Sequence, residues 1–370
     1  MRILALAPLW ETVPPPRYGG TEAVVSVLCD ELARRSVDVT LCASGDSNTA
    51  ARLRSVYPRS LRMADDLADR SPYDWMHIAL SLCEGRDYDL IHNHAGELAM
   101  AMSHLVDVPM LTTMHCLITP DTKFVWDQYR GWYNAISHAQ QAAMPPLKSD
   151  SFAGVVYNAV DVESFPFSTE KDDYLLFMGR IAPEKGPQHA IEVARRLGMK
   201  LIIAAKVDRV DREFHREVVE PLIDGEQIVY VGEADAAQKR ELYRRAHCLL
   251  VPLCWEEPFG LVMIEAMACG TPVIAFARGS APEIIVDGET GYLVHDIEGM
   301  VDAVRKIDRI DPARCRRHAE EKFAPNVMAD RYLSIYRSIL DQTARQRPLI
   351  LSPTPAPART DGADGALAIA

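Results

Sequence analysis

Two carboxylates flank an uncharged stretch near the two-thirds point of the chain. The stretch reads EEPFGLVMIEAMACG, and the seven residues between Glu257 and Glu265 carry no charge. Pro258 fixes its own backbone and disfavours helix at the residue before it, so we predict that a helix begins near Gly260 or Leu261. Its first turn would offer unpaired N–H groups and the positive end of the helix dipole. This combination suits an anion, and a pyrophosphate in particular.

The predicted helix is almost entirely apolar up to its end at Gly270. Glu265 would therefore lie in the second turn of a buried helix, where a carboxylate needs fixed donors. The two hydroxyls of a ribose would serve, and so would a nearby arginine. Glu257, on the other side of the anion site, could hold sugar hydroxyls, stabilise positive charge on a sugar ring, or only cap the helix. Ribose, diphosphate and sugar in that order describe a sugar nucleotide.

Cations for such a ligand are found in the segment GRIAPEKG. Arg180 and Lys185 follow a predicted strand and could reach a diphosphate that lies on the helix start. Local cations matter more than usual here because the chain has a net charge of −12. The alternative is a solvated loop with a surface ion pair between Glu184 and Lys185.

Other unusual residues also follow predicted strands. Gly19 and Gly20 lie between the first strand and a helix, His115 ends VPMLTTMH, and Glu233 follows IVYVG. In open parallel sheets, ligands bind beyond the carboxyl ends of the strands. If two such sheets face each other with these ends inward, a single cleft collects all of the residues named so far.

The elements that position these residues alternate between strands and helices. In the first half, RILALA, DVTLCAS, YDLIHNH and VPMLTTMH are typical of strands, and TEAVVSVLCDELARR of a helix with Thr21 as its N-cap. The second half restarts the pattern with DYLLFMGR, KLIIAAK, QIVYVGE, HCLLVPL and TPVIAF as strands. This alternation predicts an α/β protein with two doubly wound parallel-sheet domains.

We place the first domain at residues 1–160 and the second at residues 161–324. Residues 325–345 form a predicted last helix that could return to the first domain. The tail, residues 346–370, is rich in Pro, Ala and Gly, and we expect it to be disordered.

Composition limits the function classes. With 370 residues, 48% of them hydrophobic and 25% charged, the chain resembles a soluble two-domain enzyme. The acidic balance argues against a nucleic-acid surface. Eight cysteines without a CxxC pair suggest buried free thiols in a reducing cytoplasm. No apolar run is long enough to span a membrane, and the apolar start breaks at Pro8, which favours a strand over a signal peptide.

Taken together, these motifs resemble the family-4 retaining glycosyltransferases. The resemblance rests on GRIAPEKG, EEPFGLVMIEAMACGTPVIAF and GSAPEIIVDGETGYLV, with weaker support from YGGTEAVV, YDLIHNH, MLTTMH and VVYNAVDVESF. It covers residues 1 to about 342. It implies a GT-B-type fold, in which two Rossmann-like domains face each other across a cleft. The first domain would bind the acceptor and the second the nucleotide sugar.

The resemblance also implies roles for the second domain's residues. Arg180 and Lys185 would bind the diphosphate and steady the leaving group. Glu265 would hold the ribose and Glu257 would contact the donor sugar. The helix start would contact sugar and phosphate through its backbone; these residues are Phe259, Gly260, Leu261 and Val262.

Three further roles follow from the resemblance. His115 would touch the donor sugar from the first domain. Gly19 and Gly20 would let the first loop close over the phosphates. The backbone from Val231 to Glu233 would recognise the nucleotide base.

The implied activity is transfer of a hexose, with retention of configuration, from a nucleotide-diphosphate sugar to an acceptor hydroxyl. UDP-glucose or a similar donor is expected, with a small molecule, glycan or glycolipid as acceptor and peripheral membrane contact left open. We expect no metal, because the cations and the helix dipole take its place. A nucleotide-sugar epimerase and a non-catalytic nucleotide-sugar-binding protein stay as alternatives. A nicotinamide dehydrogenase is disfavoured because no GxGxxG follows the first strand.

Two patterns could suggest a metal. Asp87 and Asp89 form a DxD sequence, but they precede the strand LIHNH and so lie at the wrong end of it; we predict a surface loop. We also predict that His92 and His94 point to opposite faces of that strand, which argues against a metal site, with His94 near the acceptor.

Overall fold

The protein folds into two all-parallel sheets, each covered by helices. The computed structural model describes residues 1–149 and 151–346, so the predicted disorder of the tail falls almost entirely outside the described residues. The first sheet has the order β3-β2-β1-β4-β5-β6-β7. Its strands are β1 (Arg2–Leu6), β2 (Asp38–Cys42), β3 (Arg52–Arg54), β4 (Leu90–Asn93), β5 (Met110–Thr113), β6 (Trp132–Ala135) and β7 (Phe152–Val155).

The second sheet has six strands in the order β10-β9-β8-β11-β12-β13. Its strands are β8 (Tyr174–Arg180), β9 (Lys200–Lys206), β10 (Ile228–Gly232), β11 (Cys248–Val251), β12 (Val273–Phe276) and β13 (Gly291–Val294). These strands are short apolar runs because helices cover both faces, and Leu175 and Leu176 of β8 are both fully buried. The predicted fold class, two Rossmann-like doubly wound domains, is confirmed.

Helices connect the strands. They are α1 (Gly20–Arg34), α2 (Ser71–Glu84), α3 (Glu97–Met102), α4 (Lys123–Gln128), α5 (His138–Ala142), α6 (Pro187–Leu197), α7 (Arg212–Phe214), α8 (Ala236–Arg245), α9 (Leu261–Ala268), α10 (Ala281–Ile284), α11 (Ile297–Val304), α12 (Pro312–Phe323) and α13 (Pro325–Gln346). The prediction that Thr21 caps α1 was wrong. Gly19 is the N-cap, without a side-chain hydrogen bond, because the helix already begins at Gly20.

The strand order reverses once in each sheet. In the first sheet β1 pairs with β2 on one side and with β4 on the other. In the second, β8 pairs with both β9 and β11. The connections on either side of such a reversal leave in opposite directions, which opens a crevice at the carboxyl ends of the strands. The loops after β1, β4, β8 and β11 carry the candidate site.

The last helix, α13, packs on α1 of the first sheet. Tyr332 and Tyr336 of α13 are fully buried in the core of the first sheet. Arg35 adds an ion pair with Asp330, at 2.5 Å. The chain therefore leaves the first domain after β7 and re-enters it at α13.

Two further properties follow from the described residues. No helix among them combines the length and the apolar character that a bilayer crossing requires. All eight cysteines are free thiols, but only five are buried; Cys83, Cys116 and Cys254 are exposed.

Tyr336→Phe tests the anchoring of α13. The hydroxyl of Tyr336 lies 2.6 Å from Nδ1 of the fully buried His92. Its removal leaves a buried nitrogen unpaired, so we expect a loss of about 1–3 kcal/mol of stability, measured by urea denaturation. Tyr88→Phe is the matched control, because the Tyr88 hydroxyl makes no hydrogen bond among the described residues. An unchanged denaturation midpoint for Tyr336→Phe would contradict the expectation.

Candidate active site

The amino-terminal ends of two helices meet in the crevice. Helix α9 begins at Leu261, and its N-cap Gly260 has a φ of 81°, a left-handed conformation that favours glycine. No side chain caps this end of the helix. A Cβ on Gly20, at the start of α1, would lie only 3.6 Å from the side chain of Leu261. Both helices thus direct unpaired N–H groups and positive dipole ends to one place, which suits a diphosphate.

Arg180 and Lys185 stand beside this place. Arg180 ends β8 and donates to Asp211 at 2.9 Å and to Glu184. Burial opposes its charge, but Glu184 and Asp211 raise the pKa of Arg180 above its ordinary value. Gly186 follows Lys185 with a φ of 68°, and a Cβ there would collide with the carbonyl oxygen of Pro252. Only glycine therefore lets the Lys185 turn lie against the end of β11.

Lys185 forms an ion pair with Glu257. Glu257 is 9% exposed. Trp255 contacts both members of the pair: its Nε1–H donates to Glu257 at 2.9 Å, and its ring centroid lies 5.0 Å from Nζ of Lys185. The alternative to a ligand-binding role, a surface pair between Glu184 and Lys185, does not form, because Glu184 binds Arg180 instead. The indole therefore holds one cation and one carboxylate in a fixed arrangement.

Glu265 is buried and already has protein donors. It is 5% exposed and accepts hydrogen bonds from Lys239 at 2.6 Å and from Tyr243 at 2.8 Å. The need for donors was predicted correctly, but the alternative arginine partner was wrong, because a lysine and a tyrosine one turn apart on α8 fill that role. A carboxylate has about four lone-pair sites, so contact with a ribose stays a prediction.

Glu233 connects the two domains across the crevice. It accepts the N–H of Tyr18 at 3.1 Å and pairs with Arg62 at 2.6 Å. Arg62 also pairs with the buried Glu11, at 2.6 Å. Lys206, at the end of β9, lies 5.2 Å from the ring of Tyr18. These contacts hold the first loop against the second domain, and recognition of a base near Glu233 stays a prediction.

The residues predicted to contact the ligand at the start of α9 are packed against other parts of the protein. Phe259 is fully buried between Tyr157 and Phe323, and its carbonyl oxygen accepts the hydroxyl of Ser280 at 2.6 Å. Val262 is half-buried next to the helix start. These contacts fix the loop that precedes α9.

His115 faces the crevice from the first domain. Its Nε2 lies 2.9 Å from Nδ1 of His94. Protein atoms surround the ring, and this burial lowers the pKa of His115 to about 4. The prediction that His92 and His94 face opposite ways was wrong: their ring centroids are 3.9 Å apart, because side chains two residues apart on a strand share a face.

The DxD sequence lies away from the site. Asp89 accepts from Arg2 at 2.9 Å, at the amino end of β4. In the described part of the chain, no three His, Cys, Asp or Glu side chains are grouped as metal ligands.

Sequence reasoning missed several groups in the crevice, namely Trp255, Arg62, Glu22, Lys239 and Tyr243. A signal existed for two of them, because Lys239 and Tyr243 are four residues apart and so share one helix face. Trp255 stands two residues before Glu257. Arg62 and Glu22 carried no local signal.

Glu22→Gln tests the buried carboxyl of Glu22, which is 6% exposed. Burial raises the pKa of Glu22 from 4.5 to about 7, so the folded protein keeps a proton that the unfolded chain releases. Wild-type stability should fall as the pH rises between these values, by at most about 3 kcal/mol. The variant lacks this loss, so its Tm relative to wild type should increase from pH 4.5 to pH 8. Exposed Glu170→Gln is the control, and a pH-independent difference for Glu22→Gln would contradict this account.

Trp255→Phe tests the indole hydrogen bond. Phenylalanine keeps a ring beside Lys185 but cannot donate to Glu257. A hydrogen bond to a charged group contributes about 1.5–3 kcal/mol, so we expect the turnover that the resemblance implies to fall about tenfold or more, measured as nucleotide release from a nucleotide sugar. Trp75→Phe, on the exposed face of α2, should keep full turnover. Equal behaviour of the two variants would show that the hydrogen bond is dispensable.

Comparison with known proteins agrees with this architecture. Residues 18–164 match the profile "Glycosyltransferase Family 4" and residues 161–322 match "Glycosyl transferases group 1". D-inositol 3-phosphate glycosyltransferase of Mycolicibacterium smegmatis is 27% identical over 388 residues, which cover 88% of each chain.

Solved structures show the same fold. A glycosyltransferase involved in avilamycin A biosynthesis superposes with a TM-score of 0.74 at 23% identity, over 92% of this chain and 98% of the other. Anabaena HepE, solved in complex with UDP and glucose, gives a TM-score of 0.71 at 17% identity, over 91% of this chain and 100% of the other. With two adjoining profiles that span residues 18–322 and two facing Rossmann-like domains, the chain belongs to the family-4-like glycosyltransferases of GT-B fold.

Proposed function

We propose that this enzyme transfers a hexose from a nucleotide-diphosphate sugar to an acceptor hydroxyl with retention of configuration. UDP-glucose is the first donor to test, in keeping with the UDP and glucose bound by HepE. The observation that carries the proposal is the convergence of two uncapped helix starts, at Gly20 and Leu261, beside Arg180 and Lys185.

The donor would bind along the start of α9. The diphosphate would lie on the N–H groups of Leu261 and Val262, with Arg180 and Lys185 as its cationic partners. Glu265, about one turn further along the buried helix, would bind the ribose. Glu257 would receive hydroxyls of the sugar at the opposite end.

Binding would rearrange one ion pair. Lys185 is bound to Glu257, so an arriving phosphate must share or replace that carboxylate. Trp255 contacts both groups and would keep them near their positions during the exchange. The positive charge then moves from a fixed carboxylate to the leaving phosphate, where it stabilises the transition state more than the ground state.

The reaction would proceed on one face of the sugar. The bond from the anomeric carbon to the phosphate oxygen breaks, and the bond to the acceptor oxygen forms on the same face. The acceptor's proton passes to the departing phosphate oxygen. Positioning and electrostatic stabilisation would supply the rate enhancement, and no resident metal would be required.

The acceptor would approach from the first domain. The loops after β1, β4 and β5 border the crevice there, with Trp10 and Tyr18 on the first of them. Both rings are partly exposed, at 45% and 38%, and could stack on a sugar or a heteroaromatic acceptor. A small molecule, a glycan and a glycolipid all fit this description.

A donor panel tests the proposal. UDP-, GDP- and ADP-sugars are incubated with and without candidate acceptors, and nucleotide release and the anomeric configuration of the product are measured. Release that depends on an acceptor, with retained configuration and no effect of EDTA, is expected. Conversion to a new sugar nucleotide without an acceptor would indicate an epimerase. Thermal stabilisation by a donor without turnover would indicate a binding protein, and an inverted product would overturn retention.

Lys185→Ala tests the role of the phosphate-binding cation. Loss of one preorganised charge beside the leaving group typically lowers turnover by a factor of about 100–1,000, and we expect a fall of this size with an unchanged circular dichroism spectrum. Lys200→Ala is the matched control. Lys200 lies at the amino end of β9, and therefore at the opposite end of the strands from the site. Near-normal turnover in Lys185→Ala would refute the role.

A further inference from the structure

Three histidine rings run from the last helix to the crevice. His92 is fully buried, and its Nδ1 lies 2.6 Å from the Tyr336 hydroxyl of α13. His94 packs on it and is hydrogen-bonded in turn to His115. Only His115, at the end of this series, is partly accessible.

The hydrogen bonds determine the proton position on His92. Its Nε2 lies 2.7 Å from Oγ1 of Thr113, and that hydroxyl donates its single proton to Oδ1 of Asn134 at 2.8 Å. Thr113 must therefore accept from His92, so His92 carries its proton on Nε2. Its Nδ1 then accepts the hydroxyl proton of Tyr336. Every polar atom of the His92 ring has a partner, which keeps the ring neutral and fixed.

His94 has one partner and one unpaired nitrogen. The residue is 3% exposed, and its Nε2 is buried without a hydrogen-bond partner. Burial, followed by the neighbouring His92 and His115, lowers the pKa of His94 well below 6.5, so the ring is neutral and carries one N–H. A proton on Nε2 would be an orphaned buried donor, and such donors are rarer than orphaned acceptors. The proton therefore belongs on Nδ1, which donates to Nε2 of His115.

This arrangement determines which nitrogen of His115 is the donor. With Nε2 accepting from His94, the single proton of neutral His115 lies on Nδ1. No hydrogen bond joins Nδ1 to another described residue. The thiol of the next residue, Cys116, lies close enough to Lys185 and Glu257 for their charges to act on it, which places this part of the loop beside the donor site.

We propose that His94 is a positioning residue, which holds His115 as the Nδ1–H tautomer so that His115 donates a hydrogen bond to a hydroxyl of the donor sugar. The inference rests on the proposed function for its ligand. Its structural part, the tautomer, does not depend on any activity. Because Tyr336 fixes His92 behind His94, the last helix supports the geometry of the series from the far side.

The first test reads the tautomer directly. The protein is labelled with ¹⁵N-histidine, and long-range ¹H–¹⁵N correlations at pH 7 distinguish Nδ1–H from Nε2–H rings; His115→Gln assigns the His115 signals. We expect His115 to be Nδ1–H and His94 also Nδ1–H. An Nε2–H tautomer or a mixture at His115 would overturn the proposal, whether or not any sugar is transferred.

The second test separates positioning from packing. His94→Asn keeps a donor close to the position of Nδ1, whereas His94→Leu fills the space without one. We expect kcat for transfer from the active donor to fall about 10- to 100-fold in His94→Leu, the equivalent of one to two lost hydrogen bonds, and to recover largely in His94→Asn, with the KM for the donor within about threefold. Exposed His104→Leu is the control. Equal loss in His94→Asn and His94→Leu would overturn the positioning role.

The two tests distinguish the failures. If no nucleotide sugar is turned over by the wild type, the proposed function fails while the tautomer measurement stands on its own. If turnover is normal and the His115 tautomer differs, the proposed function stands and the inference about His94 fails.

Discussion

The charged side chains of the crevice are paired with one another within the protein. Lys185 is bound to Glu257, Arg180 to Glu184 and Asp211, and Glu265 to Lys239. Cations that are half-buried in this way lose part of their hydration, and a nearby carboxylate offsets that loss. The selectivity of the site then depends on which internal pairs an incoming anion can replace, and the starts of α1 and α9 add positive dipole ends that no side chain caps.

Carboxylates also join the two domains. At the front of the crevice Glu233 accepts from Tyr18 and Arg62. At the back Glu283 of α10 accepts the N–H groups of His138 and Ala139, at 2.8 and 2.5 Å, where α5 begins in the first domain. Each contact satisfies backbone donors of the first domain with an acid of the second. Polar contacts, which can be broken and remade in water at modest cost, therefore contribute to the relative placement of the domains.

The fold was predictable because buried parallel strands have a strong signature in sequence. Strand ends were located well enough to identify Arg180, Glu257 and Gly20 as neighbours, since carboxyl ends of parallel strands meet at one edge. The start of α9 followed from Pro258 and Gly260.

The hydrogen-bond and ion-pair partners of the site residues could not be predicted in the same way. The pairing of Glu265 with Lys239 and Tyr243 depends on how α8 lies against α9, and the Arg62 bridge joins residues 171 positions apart. The predicted orientation of His94 was wrong for a simpler reason. Side chains two residues apart on a strand lie on the same face of the sheet, not on opposite faces. Long-range partners depend on tertiary packing, for which a single sequence carries no local signal.

The return of α13 has a mechanical consequence. The backbone passes between the domains twice, once between β7 and β8 and once at Ala324 between α12 and α13. The two passages touch, because the N–H of Val160 donates to the carbonyl oxygen of Phe323 at 3.0 Å. Because the two chain crossings lie side by side, the second domain can rotate about them but cannot move freely away from the first domain. A swing of the second domain about this point would open or close the crevice and would require changes in only a few backbone torsions near the two crossings.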